Sequence, residues 1–270
     1  MSKTYKALIM IFTSLALAMS GIIIAYILFK GVANISPDLF KLKYTSENVS
    51  IIPALISTFF TIVLSLLIAL PIGIFTAIYL SQYAKNKVFI RVVRFSTEIL
   101  SSIPSIVYAL FGYLFFVTST GLGLGMGFSL IAGCFTVAIM VLPTIIRTTE
   151  EAILTVNPLQ AHASLALGAT KIQTIFKVVL PEAMDGILGG IFLSTGRIVG
   201  ESAALIYTMG TDAQIPKSLF NSARTMAVHM YVLASEGFHV KEAYATAVIL
   251  LVFVMGLNFL SVKISKKLLG

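Results

Sequence analysis

The chain has 270 residues, 58% of them hydrophobic and only 11% charged, with a mean hydropathy of +0.99. A soluble domain carries about a quarter of its residues charged, so the composition excludes one and describes a polytopic membrane protein. The net charge of +8 fits Lys and Arg anchoring membrane-flanking loops and does not require nucleic acid, while the single cysteine, Cys134, excludes an intrachain disulfide or a cysteine metal site.

Lys3 and Lys6 precede the first apolar run, residues 7–29. It is longer than the roughly 7–15 residues of a signal-peptide core, and no small-x-small cleavage site follows, so it reads as a retained first span. Further charge-poor runs cover residues 51–82, 99–118, 125–146, 186–208 and 243–262. Each suffices for a helix of about 30 Å, giving about six transmembrane helices in one all-α domain. Pro71, Pro104 and Pro143 read as kinks, because neighbouring helices in a bundle can satisfy the carbonyls that proline frees.

With both termini on the cytoplasmic side, twelve basic residues fall inside and six outside, with Arg197 within a span. The bias favours termini in, and places the polar stretch 147–185 in the cytoplasm. Residues 222–234 read as a short helix at the outer interface. The alternating Gly121, Gly123, Gly125 and Gly127 lack the Lys and Ser/Thr of a phosphate loop and read as a tight turn. His162, His229 and His239 are too scattered for a metal site and read as surface or interface residues.

In the polar stretch, Asn157 followed by Pro158 is a helix start, and a helix can run to Leu167. Gly168 can adopt the left-handed conformation that ends it, and Thr170 with Gln173 has the spacing of a capping box for a second helix. There Ile172, Ile175, Phe176 and Val179 share a face, and Pro181 is expected to stop the helix before the fifth span. Periodicity alone allows an amphipathic connector packed on its own bundle.

The spacing from His162, Ala163 and Ser164 through Gly168 to Val178, Leu180 and Pro181 resembles the cytoplasmic loop of bacterial ABC importer permeases, in which Glu-Ala-Ala, three residues, Gly, nine residues and Ile-x-Leu-Pro recur. His162 stands in place of the Glu and Ser164 in place of the second Ala. Three further segments resemble permeases of the phosphate-specific branch, most closely the PstA type: Thr97 and Glu98 through Pro104 and Tyr108 to Gly112; Arg147, Glu150 and Glu151; and Gly196, Arg197, Gly200, Glu201 and Ser202. The resemblance implies a type I ABC importer permease (MetI-like) fold with cytoplasmic coupling helices, in a bacterial inner membrane. It implies coupling residues His162, Ala163, Ser164, Gly168, Ala169, Leu180 and Pro181. It further implies a PstB-like ATPase dimer, a PstC-like second permease and an external PstS-like phosphate-binding protein. The chain has no nucleotide loop, so it needs no cofactor of its own; ATP and magnesium belong to the partner.

Arg197 needs a partner or water, since a charge at mid-bilayer costs about 2.5–3.5 kcal/mol on insertion scales. Helical spacing puts Gly190, Ser194, Arg197 and Glu201 on one stripe, beside the small pair Gly196 and Gly200, so the fifth span is expected to line a subunit interface. Two readings stand: Arg197 and Glu201 pair structurally, or Arg197 transiently holds an oxyanion on a translocation path with Ser194, Glu201 and Glu98. Glu98 is equally well a solvated cap. The functional rivals are the sister PstC-type subunit, a permease for sulfate, molybdate or another anion, a self-sufficient secondary transporter and, with the least support, an intramembrane enzyme.

Overall fold

A backbone in hydrocarbon must satisfy its own hydrogen bonds, and the apolar runs therefore fold as helices. The computed structural model describes residues 3–121 and 123–269, and every regular element among them is helical. In chain order these are α1 (Lys3–Val32), α2 (Ile52–Ile78), α3 (Lys87–Ser102), α4 (Ser105–Gly112), α5 (Leu130–Thr155), α6 (Pro158–Ala166), α7 (Lys171–Thr174), α8 (Leu180–Glu182), α9 (Met184–Gly200), α10 (Ala203–Thr208), α11 (Met226–Glu236) and α12 (Val240–Leu269). Wide π-helical turns extend α2 (Tyr79–Tyr83) and α4 (Tyr113–Val117) and join α7 to α8 (Ile175–Val179).

Four stretches among the described residues are long and apolar enough to cross a bilayer: Leu8–Val32, Ile52–Tyr83, Leu130–Thr155 and Val240–Ser261. The run expected to be continuous over residues 99–118 is instead divided at Ile103 and Pro104, and α3 meets α4 at 100°. The physical reason is that Pro104 cannot donate to the preceding turn and forces Ile103 into extended geometry. Counted as one broken span, the pair gives a fifth. The run 186–208 is also divided, because the helix opens at Glu201. Its first part, α9, has 17 residues, about 26 Å, just short of the hydrocarbon thickness.

The core lies between α2 and α5. Ile62 and Ala69 pack with Val137, Met140, Val141 and Ile145, and α9 and α10 close over them with Ile198, Val199 and Leu205. Ser65 Oγ donates to the Cys134 carbonyl at 3.2 Å, removing an unpaired hydroxyl from this apolar layer. Gly190 permits the tightest approach: a Cβ there would stand 1.9 Å from Thr148 Oγ1, so α9 lies directly on α5. The side chains of α1 are mostly exposed, and it packs along α12, where the Tyr26 and Tyr244 rings meet edge-on at 6.0 Å.

At one end of the bundle the glycine tract folds back along the π-helical turn of α4. The amides of Gly125, Met126 and Gly127 donate to the carbonyls of Thr118, Phe116 and Val117, and so satisfy acceptors that the helix end leaves open. At the same end α11 packs inward rather than lying at an interface. Met226, Val228, His229 and Leu233 are buried, and the Met226 amide donates to Thr58 Oγ1 at 2.9 Å. His229, expected at a surface or an interface, is 1% exposed within the chain, with the Tyr44 ring edge-on at 6.0 Å. The stretch from Asn157 to Ala183 projects from the opposite end and is called the handle below.

Candidate coupling and translocation sites

Local rules build the handle. Asn157 accepts the Leu159 amide at 3.0 Å and opens α6. Two bonds close it, from Gly168 N to Leu165 O at 3.0 Å and from Ala169 N to Ser164 O at 3.2 Å, with Gly168 at φ +87. This is a Schellman cap, which needs the left-handed conformation at the glycine. Thr170 and Gln173 then form a reciprocal capping box for α7. Across the hinge the Ser164 and Thr174 hydroxyls are 3.0 Å apart, so the bend is tied by a side-chain bond as well as set by the backbone.

Beyond α7 the structure departs from the periodic expectation. Thr174, Ile175 and Val179 are buried, while Ile172 and Phe176 stand 62% and 51% exposed, so the expected apolar face is split, and the backbone widens to a π-helical turn from Ile175 to Val179. Pro181 does not stop the helix. It lies in α8, following the widened turn, and the break comes at Ala183; a wide turn is one way a helix accommodates a proline. Ile175, Val179, Ala183 and Ile187 form an apolar cluster with Ile78, Ala152 and Ile153. The handle is therefore packed onto the ends of α2 and α5 and continues into α9. Lys171 donates to the Gln82 carbonyl and lies 4.3 Å above the Tyr83 ring, a second tether to α2.

Of the coupling residues expected from the sequence, His162, Ala163, Gly168 and Pro181 are exposed, and Ser164, Ala169 and Leu180 half-buried. His162 lines a cavity of about 260 Å³ with Gln82, Asn157, Pro158 and Val179. Leu159, Leu167, Ile172 and Phe176 are exposed beside it, at 51% or more.

On α9, Ser194 is fully buried with its hydroxyl unpartnered, and Arg197 is half-buried, close enough to Tyr108 to interact electrostatically. Glu201 does not extend the helical stripe. Its backbone is extended, and its Oε1 accepts the Ala204 amide at 3.0 Å at the start of α10. No ion pair joins it to Arg197 among the described residues, because the helix has ended before the i,i+4 spacing is completed. Gly196 and Gly200 are exposed with nothing within 4 Å of a hypothetical Cβ, which leaves that face of α9 open.

Glu98 lies on α3, outside the α9 stripe. It lines a cleft of about 290 Å³ at the handle end with Arg94, Thr97, Arg147, Glu150, Glu151 and Leu154. Two ion pairs line the cleft: Arg94 to the buried Glu150 at 2.6 Å, between α3 and α5, and the exposed Arg147 to Glu151 at 2.9 Å, one turn apart on α5. The Arg94–Glu150 pair, which ties α3 to α5, had no local signature, since the partners are 56 residues apart.

Residues 69–269 match the family described as binding-protein-dependent transport system inner membrane component. The chain is 32% identical over 267 residues to a probable ABC transporter permease protein, YqgI, of Bacillus subtilis (strain 168), covering 90% of this chain and 89% of that one. It is 31% identical over 264 residues to the phosphate transport system permease protein PstA of Haemophilus influenzae (strain ATCC 51907 / DSM 11121 / KW20 / Rd), covering 95% and 92%. A solved bacterial ABC transporter involved in the import of the acidic polysaccharide alginate contains a chain that aligns with a TM-score of 0.70 at 16% identity, over 98% of this chain and 99% of that one. A MetNI methionine ABC transporter in an inward-facing conformation aligns at 0.62 and 22%, over 91% and 97%. Those identities carry the fold alone, and the fold is that of the type I importer permeases. The length of the family match, together with the helix–Gly–helix handle, establishes that this chain belongs to the binding-protein-dependent transport system inner membrane components, the multi-pass permease subunits of ABC importers.

Proposed function

We propose that the chain is a PstA-type permease subunit that carries inorganic phosphate inward, paired with a second permease and driven by a separate ATPase dimer docked on the handle. Both termini and the handle then face the cytoplasm, as the basic-residue bias favours. A phosphate-binding protein delivers the ion from outside. The exposed Leu159, Leu167, Ile172 and Phe176 supply an apolar surface for the ATPase, and the exposed face of α9 at Gly196 and Gly200 supplies a close approach for the sister subunit.

The observation that carries the reading is Arg197, a half-buried guanidinium in the membrane that no carboxylate of the described residues neutralises. Guanidinium offers two parallel donors that match adjacent phosphate oxygens. Glu201 would accept a hydrogen bond from a protonated phosphate oxygen, which fully ionised sulfate cannot donate. The relatives named as phosphate permeases support the same substrate.

Motion enters through the handle. Closure of the ATPases shifts α6 and α7, and the apolar cluster around Ile175 and Val179 passes the shift to the ends of α5 and α9. Arg197 lies ten residues beyond Ile187, about 15 Å along α9, so a tilt of this helix changes which side of the membrane its guanidinium faces. The test is uptake of labelled phosphate by vesicles holding the whole assembly, with sulfate as competitor. Arg197→Gln should cut uptake about ten- to a hundredfold with ATP hydrolysis retained, the scale of a lost charge-assisted contact. Undiminished uptake, or equal competition by sulfate, would refute the proposal.

A further inference from the structure

We infer that Arg224, Thr225 and His229, at the end of the bundle away from the handle, form a further anion site that takes a small inorganic oxyanion. The observation that carries this is a buried charge with nothing to neutralise it. Arg224 is 4% exposed, and its Nε and Nη2 are both buried without a hydrogen-bond partner. It makes no ion pair among the described residues, and Glu47, on the loop that carries Tyr44, is exposed and does not reach it. Buried charges in proteins are paired, because an isolated one forfeits its hydration and gains nothing in return.

The geometry names the class of partner. Nε and Nη2 share one edge of the guanidinium and present their donors side by side, the fork that fits the oxygens of an oxyanion. Arg94 uses that same edge elsewhere in the molecule, with its Nε 3.0 Å and its Nη2 2.6 Å from Glu150 Oε1. The oxygen that Arg94 finds in a carboxylate, Arg224 finds in no protein group. The Tyr44 ring lies 4.8 Å from the guanidinium carbon and covers one face, which leaves the edge for a ligand. Chloride would supply the charge without the directed acceptors that a fork selects.

The neighbours of Arg224 are donors as well. Thr225, next in the chain, is 1% exposed with its hydroxyl unpartnered, and it opens α11 without a side-chain cap. One turn on, along the same stripe, His229 lies close enough to Arg224 to feel its charge, and the Tyr44 ring touches both. An imidazole carries an N–H in its neutral and its charged form, a hydroxyl donates, and the start of a helix favours negative charge. Such a set recognises an anion and rejects a cation. The loop is fastened over it: Gln214 Nε2 donates to the Tyr44 carbonyl at 3.1 Å, and Asn48 Oδ1 accepts the amides of Thr45 and Ser50, both at 3.0 Å. An oxyanion there would neutralise Arg224 and join this loop to α11. The inference uses neither the role of Arg197 nor the direction of transport.

The test is hydrogen exchange, read by mass spectrometry, on the membrane-embedded importer with no soluble binding protein added, at a pH of about 8, above the imidazole range. Phosphate and, separately, sulfate are compared with chloride at equal ionic strength. Peptides covering residues 41–51 and 222–230 should exchange about tenfold more slowly once an oxyanion reaches about ten times its Kd, because bound ligand opposes local opening in that proportion. Arg224→Met should abolish the slowing. Thr225→Val, which keeps the charge, should raise the oxyanion concentration needed by about tenfold, the scale of one charge-assisted bond, and Arg197→Gln should change nothing here. Slowing by neither oxyanion, slowing matched by chloride, or slowing that survives Arg224→Met would overturn the inference. Slowing lost in Arg197→Gln and kept in Arg224→Met would overturn it while leaving the proposed role of Arg197 standing. Should Arg224→Met fail to insert, Thr225→Val decides, and an unchanged oxyanion requirement in that variant would overturn the site.

Discussion

Replacing Gly168 isolates the backbone contribution to coupling, because nothing lies within 4 Å of where a Cβ would go. A side chain there meets no steric wall, and its whole effect comes through φ +87. An L-residue in the left-handed region costs about 1–2 kcal/mol, more for a β-branched one and less for Asn. The chain can escape by returning φ to negative values, but it then gives up the bonds from Gly168 N to Leu165 O and from Ala169 N to Ser164 O. At about 1 kcal/mol each those bonds amount to a similar loss. Either route costs about 1–2 kcal/mol, which a bundle held by the α2–α5 core tolerates, so the protein should insert at normal levels. The routes differ in geometry: the second changes the angle between α6 and α7 on which an ATPase would dock. The measurement is phosphate imported per ATP hydrolysed by the reconstituted assembly, across Gly, Asn, Ala and Val at position 168. Coupling should fall in that order, by about tenfold or more at Val, with ATP hydrolysis continuing. A Val variant with the native ratio would refute the hinge reasoning.

Two further outcomes follow from the packing. Gly190→Ala would place a carbon 1.9 Å from Thr148 Oγ1 and force α9 off α5. The expected loss is about 1–3 kcal/mol, read as a lower melting temperature, and Thr148→Ala should restore part of it because only the Thr148 Cβ at 2.8 Å then remains. His229, outside the spans, is held neutral by burial and by the neighbouring Arg224, with its pKa pushed down to about 3 from 6.5. Below pH 6.5 the unfolded chain takes up a proton that the folded chain refuses, so this group's contribution is constant above pH 6.5 and is lost as the pH falls toward 3. The slope is at most about 1.4 kcal/mol per pH unit. His229→Leu should flatten the melting temperature between pH 6.5 and pH 4.5; an unchanged slope would place the titrating group elsewhere.

Much of the handle could be read from sequence because its rules are local. A cap, a left-handed glycine and a capping box each involve residues within five positions of one another, so Asn157, Gly168, Thr170 and Gln173 announce α6 and α7 without tertiary help. Four long apolar helices were legible for the same kind of reason, since about twenty apolar residues suffice whatever their neighbours, whereas the breaks at Pro104 and Glu201 divided two further runs. The apolar face of the second handle helix was misjudged because packing on the ends of α2 and α5 buries Ile175 and Val179 and leaves Ile172 and Phe176 outside, a choice that periodicity does not make. Arg197 and Glu201 looked like a helical pair because the spacing is correct, but the helix opens one residue too soon.

By itself the sequence determined that the chain is a bundle of apolar helices, where the handle hinges and which family the chain resembles, because those properties follow from chain composition and nearest-neighbour hydrogen bonding. Only the tertiary structure decided that α3 turns 100° from α4, that Glu150 takes Arg94, and that Glu201 caps α10 instead of meeting Arg197. Each of these is a choice among partners far apart in the chain or across a break in a helix, and close packing of α2, α5 and α9 selects between them where local propensity is indifferent.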